Sequence, residues 1–407
     1  MCNICSGKRQ KPAQHIDFIF WLQFFQNCIM ICWVNLMKLK YKVFKFVKQN
    51  IVLTIATIAA VITCCLVPPD KEYLGYFDMK TLSCLLLTLA VIVALRRIKF
   101  FTILARRIVL LTGSLHKLAL ALIYITFIGS MIIANDMALI TFLPLGYFAL
   151  KSTGNEKYMA YIFILQNIAA NLGGMLTPFG NPQNLYLYSY FNIPTGEFTM
   201  IMLPPFLLAV AMLTVSCLIL KKQTLTIAKE ELPALPLKRT IIYLLLFACS
   251  ILIVFRVIPY WLGLLIILPI IYIMDQKVYK QVSWDLMLTF VMFFIFSGNL
   301  SRLPAVNNLL SSLLAHSTLL VSTLSCQCIS NVPTAILLSR FTDNYRELLL
   351  GVNIGGTGTL IASLASLITF TEYKMLYPDK TKRYLILFGI LNFIFLAVLL
   401  IAEFFII

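Results

Sequence analysis

Apolar residues run through this chain in blocks suited to a bilayer. The blocks at 51–67, 82–95, 115–133, 200–220, 241–255, 286–296 and 384–407 contain few or no charges. A transmembrane helix needs roughly 20 mostly apolar residues. The blocks are too long and too continuous for barrel strands. In hydrocarbon every backbone N–H and C=O needs an internal partner, so helices are the expected spanning form.

Two stretches interrupt this pattern. Residues 171–184 read NLGGMLTPFGNPQN, with two prolines and three glycines where a spanning helix should continue, and residues 353–366 read NIGGTGTLIASLAS. With Asn171 set against Asn353, Gly173-Gly174 falls on Gly355-Gly356. In the same frame Thr177 falls on Thr359, Gly180 on Ala362, Asn181 on Ser363 and Asn184 on Ser366. A second pair lies upstream. Ala134-Asn135-Asp136-Met137-Ala138 interrupts an apolar region in the first half, and Ser330-Asn331-Val332-Pro333-Thr334 interrupts one in the second. The chain thus reads as a repeat.

Composition agrees with a membrane protein: 60% of the 407 residues are hydrophobic and 12% charged, against roughly 45–50% and 25% in soluble domains. The net charge of +17 does not point to nucleic acid, because no soluble basic domain exists to hold it. Its cations cluster in short loops. Lys38, Lys40, Lys42, Lys45 and Lys48 precede the first span; Arg96, Arg97, Lys99, Arg106 and Arg107 follow the second; Lys221, Lys222, Lys229, Lys238 and Arg239 fill the most polar internal stretch. The positive-inside rule places these loops in the cytoplasm and the nearly neutral loop 68–80 outside. The eleven cysteines form no framework, and Cys2 and Cys5 lack zinc-spaced partners.

These loops divide the chain. Residues 1–36 read as an N-terminal extension outside the working protein, since Met37 opens a basic-then-apolar start. Residues 37–220 form a first transmembrane repeat, 221–239 a cytoplasmic linker and 240–407 a second repeat. Counting spans from the linker makes the segment starting near Trp284 leave the cytoplasm, whereas its counterpart near Met79 enters it. The expected fold is therefore an all-α polytopic membrane protein with two inverted-topology repeats. Inverted repeats with paired helix breaks mark secondary transporters.

The breaks carry the candidate chemistry. Unwound backbone at membrane depth is tolerated only where protein or trapped water surrounds it. Its carbonyls, with Asn, Ser and Thr oxygens, suit a hard cation. Helix N-termini offer N–H groups and partial positive charge to an anion. The expected substrate- and ion-binding residues are Asn135, Asp136, Thr177, Gly180, Asn181, Asn184, Ser330, Asn331, Thr334, Asn353 and Thr359, with a coupling Na+ at Asn135, Asp136 and Gly180. Asp136 stands out as an acid deep in an apolar region, suited to take a proton or help hold a cation. Glu403 reads as interfacial. Arg302 and Arg340 read either as anion-attracting groups or as loop cations.

These strings resemble the ion transporter superfamily, specifically its citrate-transporter-like and arsenite-efflux-pump-like permeases. The resemblance rests on Asn135-Asp136, Asn331-Val332-Pro333-Thr334, residues 177–184 and residues 353–363, and spans roughly 50–407. It implies a re-entrant hairpin and a broken helix in each repeat, and a homodimer working by an elevator motion. Dicarboxylate symporters of this type carry Ser-Asn-Thr at both hairpin tips; here the tips read Ala134-Asn135-Asp136 and Ser330-Asn331-Val332. The second Thr-Pro-x-Gly string is degraded to Thr359-Leu360-Ile361-Ala362. The expectation is a multi-pass transporter of the plasma (inner) membrane, moving a small anion or oxyanion by alternating access, coupled to Na+ or H+, without cofactor or enzymatic activity. A sodium/proton antiporter is the alternative, asking for more than one buried acid. An intramembrane enzyme follows at a distance, because Asn135-Asp136 lacks a second Asp to hold magnesium–diphosphate. A non-catalytic assembly protein needs no paired breaks.

Overall fold

A computed structural model of the protein describes residues 40, 47, 50–221, 223–225 and 233–406. The expected extension at 1–36 and the Cys2–Cys5 pair lie outside them, as does part of the linker. The chain divides into two units, 1–55 and 56–407, and the site lies in the second. The described residues are helical apart from turns and one isolated antiparallel bridge between Ser114 and Thr224.

After α1 (Ile51–Leu66) come α2 (Met79–Arg97), α3 (Phe100–Leu110), α4 (Leu115–Ile133), α5 (Asn135–Ser152), α6 (Met159–Gly173), α7 (Pro182–Tyr190) and α8 (Thr195–Leu218). The helices α9 (Leu237–Val254) and α10 (Tyr260–Met274) follow the linker. The second half then runs α11 (Trp284–Ser301), α12 (Pro304–His316), α13 (Thr318–Ile329), α14 (Asn331–Leu338), α15 (Tyr345–Ile354), α16 (Leu364–Leu376) and α17 (Thr381–Ile406). From α2 and from α11 the succession is the same: a long helix, a short one, a pair split at one residue, a pair split by an irregular segment, and a long closing helix. Among the described residues seven helices are long and apolar enough to cross a membrane, and α12 and α13 form a pair bent by 119°.

Local chemistry sets the starts of these helices. Asp78 caps α2, accepting from the Thr81 N–H at 3.0 Å, and Ser363 caps α16, accepting from the Ser366 N–H at 3.2 Å. Such caps satisfy donors the first helical turn leaves open. Before α15, Asn344 accepts from the Glu347 N–H at 3.2 Å, and Glu347 accepts from the Asn344 amide at 2.9 Å.

Lipid tails are as apolar as leucine, so helices here must associate through close packing and polar bonds. The tight pairs are α4 with α6 and α13 with α15. A Cβ on Gly173 would lie 2.2 Å from the Phe127 carbonyl oxygen, and one on Gly351 would lie 1.9 Å from the Ser322 hydroxyl. The first broken helix lies at the centre: 83% of an 18-residue apolar stretch within Glu156–Leu176 is buried, against 22% of one within Pro378–Ile406.

Bonds between loops are consistent with the inverted order. Arg97 pairs with Asp275 at 2.6 Å, and Tyr377 donates to Glu156 at 3.2 Å, on the side assigned to the cytoplasm. Arg302 pairs with Asp70 at 2.7 Å and Tyr345 donates to Glu197 at 2.6 Å, on the opposite side. Arg340 donates to the Tyr76 carbonyl at 2.9 Å and lies over the Tyr190 ring. Arg302 and Arg340 thus hold loops together, which favours the loop-cation reading. Glu403 is 2% exposed, on a helix that packs against α8 and α15.

Candidate functional site

Each split pair turns at one residue in the left-handed half of backbone space. Ala134 has φ 65° and ψ 151°, and Ser330 has φ 75° and ψ 158°. A positive φ in a residue other than glycine is uncommon and holds only where surroundings impose it. Two such residues at matching places give the two tips one geometry. Just beyond each turn the asparagine folds back on its own backbone. Asn135 Oδ1 accepts from the Asp136 N–H and Asn331 Oδ1 from the Val332 N–H, both at 2.9 Å.

The broken helices meet these tips. Asn181 and Ser363 occupy the N-cap positions of α7 and α16 in extended conformation (φ −137° and −148°), as the alignment frame predicts. Thr177 donates to the Met131 carbonyl at 2.8 Å and Thr359 to the Gln327 carbonyl at 3.0 Å. Each threonine thereby ties its break to the helix before the tip.

A buried amide network joins the two halves. Asn135 donates to Asn171 Oδ1 at 3.1 Å, and Asn171 donates to the Ser363 hydroxyl at 3.0 Å and the Gly356 carbonyl at 3.4 Å. Asn181 donates to the Asn171 carbonyl and to Asn353 Oδ1, both at 3.3 Å. Asn353 donates to Asn184 Oδ1 at 2.6 Å. Asn167 donates to the Ser366 hydroxyl at 3.2 Å. The second tip is held to the same break, since the Asn331 N–H donates to the Ala362 carbonyl at 3.0 Å. All these side chains are buried, and buried polar groups of this kind rigidify a structure when their bonds are met.

Some oxygens are left over. Asp136 Oδ1 and Asn181 Oδ1 are buried without a hydrogen-bond partner, and both residues line one cavity of about 30 Å³ with Ala134, Phe179, Thr88 and Ser283. That is room for a water or two, or a bare ion. An acidic and an amide side chain lining one small space suit a cation or a proton. A larger cavity of about 440 Å³ is walled by apolar side chains, among them Leu95, Phe101, Ile128 and Phe247, and offers an anion nothing to bind.

Of the expected residues, Asn135, Asn181, Asn184 and Asn353 share one network, and Asp136 shares a cavity with Asn181. Asn331 and Ser330 bond to the second break at Ala362. Gly180 donates to the Thr177 carbonyl at 3.2 Å. Thr334 lies apart from the network, its hydroxyl donating to the Ser330 carbonyl at 2.7 Å. Five polar residues were absent from the expected set: Asn167, Asn171, Ser363, Ser366 and Gln327. Asn171, Ser363 and Ser366 were visible as members of the aligned strings, whereas Gln327 is a single amide in an apolar helix and carries no motif.

A multi-pass helical protein whose paired breaks enclose a polar centre has the architecture of a membrane transporter. Residues 42–345 match the citrate transporter family, to which the chain belongs. The match stops short of the second broken helix. The chain is 32% identical to an uncharacterized transporter of Methanocaldococcus jannaschii over 81% of its own length and 90% of the relative's. It is 29% identical to the inner membrane protein YbiR of Escherichia coli over 66% of its length and 73% of that protein. Family and relatives make it a transport protein, not an enzyme.

Proposed function

We propose that the protein is a secondary active transporter carrying a small anion or oxyanion across the plasma membrane by alternating access, coupled to Na+ or H+ at Asp136. The observation that carries this reading is that Asp136 and Asn181, each with an oxygen buried and unpartnered, line one small cavity beside a network drawn from both halves. The N-termini of α5 and α14, which start at Asn135 and Asn331, supply the positive ends of helix dipoles to an anion. Opposing orientation of the two halves supplies the two access states, and the resemblance supports a homodimer as the working unit. The antiporter reading is disfavoured because the place matching Asp136 in the second half is Val332.

Counterflow in proteoliposomes with a panel of anions, with and without Na+ and pH gradients, tests the proposal. Uptake of at least one anion is expected, and it should be lost in Asn135→Ala and Asn331→Ala proteins that remain folded. Unchanged uptake in both variants would refute the site. Asp136→Asn keeps the shape and removes the charge. It should retain counterflow and lose accumulation driven by the ion gradient.

A further inference from the structure

Unwound helices bind cations by turning several backbone carbonyls towards one point. Both broken helices here form such a cluster, and a side-chain amide already sits in each. In the first half, Asn184 Nδ2 lies 3.2 Å from the Gly174 carbonyl, 3.2 Å from that of Met175 and 3.4 Å from that of Thr177. In the second, Gln327 Nε2 lies 2.9 Å from the Gly355 carbonyl and 3.1 Å from that of Thr357, both in the break, and 3.1 Å from the Thr323 carbonyl of its own helix.

The orientation of each amide is fixed from both ends. Its nitrogen faces three carbonyl oxygens, where an amide oxygen would be repelled. Its oxygen accepts from a donor: Asn184 Oδ1 from Asn353 at 2.6 Å, and Gln327 Oε1 from the Thr359 N–H at 2.9 Å. A flipped amide would set donor against donor and acceptor against acceptor. The –NH2 group, with two protons and partial positive charge, satisfies the carbonyls that a metal ion would otherwise draw in. The two amides come from different places, Asn184 from beyond its own break and Gln327 from α13, so repetition of the sequence alone does not account for the pair.

We infer that Asn184 and Gln327 are built-in substitutes for cations in the two carbonyl clusters. Neither broken helix binds Na+ there, and any coupling cation is confined to the cavity at Asp136. This rests on the transporter reading and narrows it: the cycle has one ion position, in the first half alone. An acidic side chain in place of either amide turns its cluster into a cation site, because a carboxylate among three carbonyls needs a positive charge between them.

Thermal unfolding of the purified full chain, titrated with NaCl against choline chloride at constant ionic strength, tests this without requiring transport. Any Na+ stabilisation of the wild type should vanish in Asp136→Asn. In that background Gln327→Glu and, independently, Asn184→Asp should raise the Tm with Na+ by several degrees relative to choline, following mass-action linkage. The inference is overturned if Na+ shifts the Tm of Asp136→Asn by more than about 2 °C, or if both acidic variants fold and neither responds to Na+. If neither acidic variant folds, the Asp136→Asn titration still decides. A protein inactive in counterflow but behaving this way would refute the transport reading and leave the ion assignment standing.

Discussion

Asn353 donates to Asn184 across 2.6 Å, joining residues 169 positions apart in the chain. Each lies on one arm of a different broken helix, and each is buried. The bond is therefore a direct link between the two halves at the depth of their breaks. Asn353 also accepts from Asn181 and donates to the Leu349 carbonyl of its own helix, so one side chain ties the start of α7 to α15 at two points.

Removing that amide should be costly. Asn353→Ala leaves Asn184 Oδ1 without its donor and one Asn181 bond unmade, at about 1–3 kcal/mol for each buried group left unsatisfied. A clear fall in Tm in detergent is expected, together with loss of counterflow. A stability equal to wild type would show that water replaces the amide at no cost.

Two glycines with positive φ should respond differently to alanine. Gly358 has φ +114°, and a Cβ there would lie 2.2 Å from Gln327 Oε1. Gly154 has φ +67° with nothing within 4 Å. Gly154→Ala should cost only the left-handed strain, about 1–2 kcal/mol. Gly358→Ala should cost more, because it also displaces the amide held in the second carbonyl cluster. Unfolding measurements on both variants check the order.

The Asp70–Arg302 pair should show itself in pH dependence. The hydrogen bond from Arg302 holds the Asp70 carboxyl below its usual range. A carboxyl with a depressed folded pKa contributes stability above its unfolded pKa and loses it as pH falls through the folded value. The stability difference between wild type and Asp70→Asn should thus be present at neutral pH and shrink below about pH 4. Both groups are solvent-exposed, so the difference should be small and weaken with salt. A difference that grew on acidification would contradict the pairing.

The inverted arrangement can be read by labelling. With the eleven native cysteines replaced, Glu72→Cys and Gln276→Cys place single thiols at exposed positions. A membrane-impermeant maleimide added to intact cells should label the first and spare the second. Labelling of both from outside would break the topology.

Much of this was legible in the chain. The seven apolar blocks became helices because periodicity and composition act locally, and in lipid they leave a segment little choice. The frame matching Asn181 with Ser363 was legible for the same reason: a helix start needs a cap, and its spacing from the preceding Gly-Gly pair is written into a few residues. Asn135-Asp136 and Asn331 marked the tips because polar residues inside apolar runs are conspicuous.

What the amino-acid order determined by itself is where helices run and where they break. Only the tertiary structure decided which groups meet. It set Asn171 against Ser363, 192 positions away, seated Gln327 against the Gly355 and Thr357 carbonyls of the second break and covered Glu403 on the last helix. Helix breaks follow from short-range steric and hydrogen-bonding demands. The partner of a buried amide depends on how distant helices pack, and no local pattern records that choice.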